Sequence, residues 1–302
     1  MTKGVKYILI ATLLFAGMNV FVKKLTHLPV LEITLFRSIF TFMVCFALIS
    51  HKKIPYLGSR RPVLFLRGIF GSISLILFFY SVHHLPLATA TLVHYITPFF
   101  TTLFGFLFLG ERFYKMQWLF LLICFSGIVI AQSTNTNLFQ INASNLGLMA
   151  GLGACIAAAA AYNCIRKIGV SEDPNVILIY FSLITIPVSV VLLLLNGDYV
   201  TPSPKDWIYI VCMGALTQAA QYFMTKAYQG ENVGTIAIFT NMGIIYAILN
   251  GIFFFNEIPA PIAWLGIFIV LSGLILNIIY TGFIKRSKVD ESVYDVESVS
   301  EE

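Results

Sequence analysis

Ten apolar runs, each about 17–25 residues long, divide this sequence, and each is long enough for a helix to cross the hydrocarbon core of a bilayer. They lie near 5–22, 31–49, 63–81, 87–109, 117–131, 146–165, 175–195, 206–228, 234–255 and 262–281. In lipid the backbone has no water to bond, so a spanning segment closes its own hydrogen bonds as a helix or joins a sealed barrel. A barrel would show alternating segments of about ten residues, and none appears. Charged residues make up only 11% of the chain and mean hydropathy is +0.87, where a soluble domain carries about a quarter charged residues. The expected fold class is an all-α polytopic membrane protein with ten transmembrane helices.

The net charge of +5 gains meaning once it is sorted by loop. With the N-terminus inside, Lys3, Lys6, Lys52, Lys53, Arg60, Arg61, Arg112, Lys115, Arg166, Lys167, Lys226, Lys285, Arg286 and Lys288 fall on the cytoplasmic side. Only Lys23, Lys24 and Lys205 fall outside. Positive residues concentrate inside, so both termini are expected in the cytoplasm of a plasma (bacterial inner) membrane. The first run follows Lys3 and Lys6 without a small-x-small cleavage site, and reads as a retained helix. Cys45, Cys124, Cys155, Cys164 and Cys212 all lie inside apolar runs, where small apolar packing explains them better than disulfides or metal binding.

The fourth run carries a polar stripe. Thr91, His94, Tyr95, Pro98, Thr102 and Gly105 fall on one helical face, which must be shielded from lipid. This run recurs 146 residues later: Thr89 maps to Thr235, Leu103 to Leu249, Gly105 to Gly251, Phe108 to Phe254 and Glu111 to Glu257. His94–Tyr95 lands on Thr240–Asn241. The same offset maps Gly68 to Gly214, Trp118 to Trp264, Ser126 to Ser272 and Gly127 to Gly273. Five helices per copy force the copies into opposite orientations, giving two inverted five-helix repeats with a site near the midplane. The expected boundaries are 1–131 and 145–284 for the repeats, 132–144 for an external linker and 285–302 for a disordered acidic cytoplasmic tail.

Further polar positions mark candidate contacts. Asn19 and Asn163 each precede a basic pair near the end of a helix, and Thr217, Gln218, Gln221, Tyr222 and Thr225 form one face ending at Lys226. Pro98 is expected to kink its helix beside His94–Tyr95. Within spans, Arg67 reads as a structural residue snorkelling toward the cytoplasmic basic cluster. For Arg37 a substrate or gate contact and an ion pair with Glu32 are both open. His83–His84 reads as a short external loop. No Walker motif, clustered carboxylates or protease signature falls on the spans, which points away from an enzyme; no cofactor or metal is expected.

The five-helix units, with Pro98 upstream of Gly110–Glu111, resemble the EamA-type transporters of the drug/metabolite transporter superfamily. Phe36–Ser38, Leu66–Gly68 and His84–Thr91 are similar to the subgroup of acyl-malonyl-condensing-like and S-adenosylmethionine-uptake-like carriers. The resemblance covers the chain up to the tail. The second copy departs from it, with Phe255–Glu257 in place of the leucine-glycine-glutamate corner and no upstream proline. The resemblance implies ten helices around a central cavity, with Asn19, His94, Tyr95, Asn163, Gln218, Gln221, Tyr222 and Asn241 at the substrate. Glu32, Arg37 and Lys226 are gate or ion-pair candidates, and Glu111 and Glu257 are structural corner residues.

The expected function is secondary transport of a neutral or zwitterionic metabolite, such as an amino acid, nucleoside or adenosyl compound. Coupling is either through a proton on His94 or without a dedicated ion site. The rivals are a scaffold or sensor acting through its tail, and a carrier of lipid-linked substrates. The expected partners are the solute and the lipid bilayer, with no nucleic acid; a homodimer is left open.

Overall fold

A computed structural model describes residues 2–84, 93–111, 114–132, 145–197, 199–255 and 261–300. Among them the chain is all helix: α1 (Lys3–Lys24), α2 (Val30–Lys52), α3 (Arg61–His84), α4 (Thr97–Leu109), α5 (Lys115–Gln132), α6 (Asn145–Ile168), α7 (Pro174–Asn196), α8 (Pro204–Gly230), α9 (Val233–Thr240), α10 (Met242–Phe255) and α11 (Pro261–Ser300). Six helices are long and apolar enough to cross a membrane, and two shorter ones are also apolar.

Local chemistry sets the ends. Thr2, Asp173, Ser203 and Asn232 cap α1, α7, α8 and α9, their side-chain oxygens accepting N–H bonds that the first turn leaves open. At Ser203 the cap is reciprocal, with the Asp206 carboxylate accepting the Ser203 N–H. Helices α4 and α7 end on Gly110 (φ 64°) and Gly197 (φ 69°), left-handed positions that glycine adopts without strain.

The principal packing partners join the two halves of the chain: α3 with α6, α1 with α8, α5 with α11, and α2 with α7. One core runs through both halves and includes Ile8, Cys45, Leu64, Cys124, Ile165, Ile177, Tyr228 and Ile236. The outside is apolar as well: Phe108 is 74% exposed and its counterpart Phe254 62%, an arrangement that suits lipid and not water. The protein is integral to the membrane.

Close contacts between α5 and α11 obey the 146-residue offset. A β-carbon on Gly127 would meet Gly266 and Val270, and one on Gly273 would meet Phe120 and Cys124. Adding 146 to 120, 124 and 127 returns 266, 270 and 273, so each glycine faces the counterpart of the other's neighbours. The start of α5 meets the far part of α11 and the reverse, so these two equivalent helices run antiparallel. Similarly, Gly68 of α3 packs on Tyr180 and Ile184 of α7, and Gly214 of α8 on Phe40 of α2.

Two expectations need correction. The helix expected over 234–255 is two pieces, α9 and α10, parted at Asn241. His83–His84 belong to the end of α3 and not to a loop, because nothing after Arg61 breaks its hydrogen-bond ladder. Helix α11 continues to Ser300; the segment after Ile284 holds no glycine or proline to stop it. The linker, Thr89, Thr91, Arg112 and the Glu257 corner lie outside the described residues.

Candidate functional site

The polar spot shared by the two copies coincides with a break in both. In the first, the chain turns at Tyr95–Ile96 and α4 begins at Thr97; in the second, it turns at Asn241 between α9 and α10. Tyr95 and Asn241 are 146 residues apart. Pro98 lies just past the first break, in the first turn of α4, where its missing N–H is tolerated. That N–H would have bonded the His94 carbonyl, which instead accepts the Thr97 hydroxyl at 2.6 Å. Without a proline, the second break uses the same device: the Thr240 hydroxyl donates to the Ala237 carbonyl at 2.6 Å.

The candidate residues divide into three groups around these breaks. His94, Tyr95, Gln221 and Tyr222 are half-buried, and His94 Nδ1 and Gln221 Oε1 have no hydrogen-bond partner. The His94 ring lies 4.9 Å from that of Phe78. A second group is bonded within the protein. Asn163 donates to the carbonyls of Thr101 (3.0 Å) and Ala159 (2.9 Å), tying α6 to α4, while its Oδ1 is unpartnered. Gln218 donates to Cys45 Sγ at 3.1 Å, which ties α8 to α2. Asn241 is buried at the break, its backbone N–H donating to the Ile238 carbonyl at 3.2 Å. Asn19 forms the third group: it is exposed, apart from the buried groups. On α8 the hydroxyls of Thr217 and Thr225 and Oε1 of Gln218 and Gln221 are all without partners, four unmet groups on one helix face.

The gate candidates also separate. Glu32 forms no ion pair with Arg37; its Oε2 accepts the Val200 N–H at 3.2 Å and Oε1 is unpartnered. The five-residue spacing from Glu32 to Arg37 places them on different sides of α2. Lys226 lies 4.8 Å from the Tyr222 ring and 5.8 Å from that of Tyr7, beside a cavity of about 600 Å³ lined by Lys3, Tyr7, Glu172, Asp173, Gln229 and Glu231. Arg67 does not snorkel. It is 2% exposed, its Nε and Nη1 lack partners, and its guanidinium stands 5.0 Å from the Phe181 ring. The chain between Arg61 and Arg67 already spends nearly two turns entering the bundle, so the side chain cannot reach back to water.

Sequence reasoning missed the seam at the basic end. Glu111 does not cap its own helix. Its Oε1 meets Arg166 Nε at 2.6 Å, and its Oε2 accepts the Val233 N–H at 2.8 Å, at the start of α9. Arg166 Nη1 donates to the Gln229 carbonyl at 3.1 Å, and the Gln229 amide donates to the carbonyls of Gly169 (2.7 Å) and Glu172 (2.9 Å). Glu172 in turn accepts the N–H groups of Ser59 and, at 2.9 Å, Arg60. Just inside this seam Tyr162 and Tyr228 stack face to face, centroids 4.8 Å apart at 6°. At the opposite end the described ties include His27 with Asp206 at 3.0 Å and Glu32 with the Val200 backbone.

The sequence profile of the EamA-like transporter family matches residues 2–132 and 145–279. The chain is 29% identical over 267 residues to Solute carrier family 35 member G1 of Mus musculus, covering 85% of this chain and 73% of that protein. It is 28% identical over 278 residues to Pseudopaline exporter CntI of Pseudomonas aeruginosa, covering 91% and 95%. A solved crystal structure with 17% sequence identity superimposes with a TM-score of 0.81, covering 93% of this chain and 98% of its own, a likeness of fold alone. Because the profile spans both halves around the paired breaks, the chain belongs to the EamA-like transporter family.

Proposed function

We propose that this protein is a secondary transporter that carries a small organic solute, neutral or zwitterionic, by alternating access. Its two halves are read as inverted five-helix repeats making ten spans, in the plasma membrane with both termini in the cytoplasm. The observation that carries the reading is the reciprocity of the α5–α11 glycine contacts together with a helix break at the same offset in both halves. Broken helices in equivalent positions offer free backbone groups for a solute at the centre of the bundle.

One departure from the twofold pattern fits a particular state. Helix α6 packs on α8 at the basic end, through Tyr162 on Tyr228 and Arg166 on Gln229. Their counterparts α1 and α3 make no comparable contact among the described residues. A seam closed in one half and open in the other corresponds to an outward-open carrier; exchanging the two arrangements would open the cytoplasmic side.

The test is a thermal-shift screen of the purified protein with amino acids, nucleosides and adenosyl compounds, followed by flux of any hit in proteoliposomes. A ligand of the folded state raises the melting temperature by mass action. The expected hit stabilises the parent, fails to stabilise a Tyr95→Ala plus Gln221→Ala variant, and crosses the liposome membrane. Equal stabilisation of both proteins would move the site elsewhere. A hit that binds without flux, with cellular function lost on deleting residues 285–302, would replace the carrier by a scaffold. Coupling has its own test: a His94→Ala variant with full, pH-independent flux removes proton coupling through that residue.

A further inference from the structure

Two arginines on the helices of the first half, Arg67 and Arg37, have no acid paired with them among the described residues. Arg67 on α3 is 2% exposed and lacks partners at Nε and Nη1. Arg37 on α2 is half-buried. Tyr162 on α6 lies within electrostatic reach of both guanidinium groups. Around Arg67 the structure places the Phe181 ring, and at Gly71 the absence of a β-carbon makes room for Nη1 and that ring together.

The acids with described contacts are engaged elsewhere: Glu32 with Val200, Glu111 with Arg166, Glu172 with Ser59 and Arg60, Asp173 with Lys52 and Asp206 with His27. Among the described residues neither Arg37 nor Arg67 has a counter-ion. Burying a guanidinium without one costs several kcal/mol, and arginine does not escape by losing its proton. An arriving group of negative charge would offset that cost.

We propose that Arg67 and Arg37 form an anion subsite that binds a carboxylate of the transported solute, with Tyr162 and its stacked partner Tyr228 as the adjoining aromatic wall. The proposal rests on the transporter reading and narrows it from neutral or zwitterionic solutes to those bearing a carboxylate. A guanidinium presents two parallel N–H donors that match a carboxylate's two oxygens. The flanking groups are aromatic rings and a glycine, surroundings suited to the organic part of such a solute.

The experiment compares acids with their amides on the purified full-length protein: methionine and methioninamide, phenylalanine and phenylalaninamide, succinate and succinamide, with inorganic phosphate and chloride alongside. Melting temperature is read for the parent, Arg67→Met and Arg37→Met. The expected result has three parts. At least one acid stabilises the parent while its amide does not. Each variant weakens binding of that acid by about tenfold or more. Unliganded Arg67→Met melts at the parent's temperature or above it, because an unbalanced charge has been removed. Equal stabilisation by acid and amide overturns the subsite, as does a phosphate or chloride shift as large as that of any acid. A clear fall in the unliganded melting temperature of Arg67→Met makes Arg67 a structural residue and also overturns it. The transporter reading fails separately: an acid that binds through Arg67 but does not cross proteoliposomes leaves the subsite and removes the transport.

Discussion

Arg166 and Arg67 sit on neighbouring helices, α6 and α3, in different company. Arg166 is held 2.6 Å from Glu111 and donates to the Gln229 carbonyl, so that one side chain joins α6 to the end of α4 and the end of α8. Arg67 is more deeply buried, yet finds an aromatic ring where Arg166 finds a carboxylate. The first arrangement fastens helices; the second leaves hydrogen-bonding capacity unspent at the centre of the bundle. In a protein that must change shape, charges satisfied by the chain belong at a seam. Charges the chain leaves unsatisfied belong where a solute completes them.

Breaking the seam should give the largest effect. Glu111→Ala removes the counter-ion of Arg166 and the acceptor of the Val233 N–H, at a cost of about 3 kcal/mol for a largely buried pair. It should appear as a fall of several degrees in the melting temperature of the detergent-solubilised protein; an unchanged value would mean that the seam is not a fastening. Glu172→Ala, which strips the acceptor from two backbone N–H groups, should cost about 2 kcal/mol, and Glu172→Gln should recover part of it. Arg67→Met sharpens the contrast by changing sign: the unliganded protein should gain about 1 kcal/mol, since an apolar side chain replaces an unpaired charge. The smallest effect is expected at the other end. His27→Ala removes a contact with Asp206 whose histidine side chain is half exposed, and should lower the melting temperature by no more than about a degree.

Much of the architecture was legible because lipid imposes strong rules. Helix lengths, the 146-residue repeat and the glycines at 127 and 273 stand in the sequence, and the glycines proved to be reciprocal contacts. Both breaks lie on the expected polar spots, but their form was not readable. One copy has its turn just before Pro98; the other reaches the same result with Asn241 and a Thr240 hydroxyl. The α8 face carries unmet polar groups at Thr217, Gln218, Gln221 and Thr225. Asn19 shows the limit of such reasoning: an amide before a basic pair looks the same in α1 and α6, but only Asn163 is turned inward.

The sequence by itself determined that the chain is helical and spans a membrane, and that its halves are related, because these follow from length, hydropathy and spacing along one dimension. Only the tertiary structure decided which charges are balanced. Glu111 and Arg166 are 55 residues apart and meet, while Glu32 and Arg37 are five apart and do not. Pairing depends on which helices touch and at what depth, and Coulomb interactions act through space, indifferent to the distance along the chain.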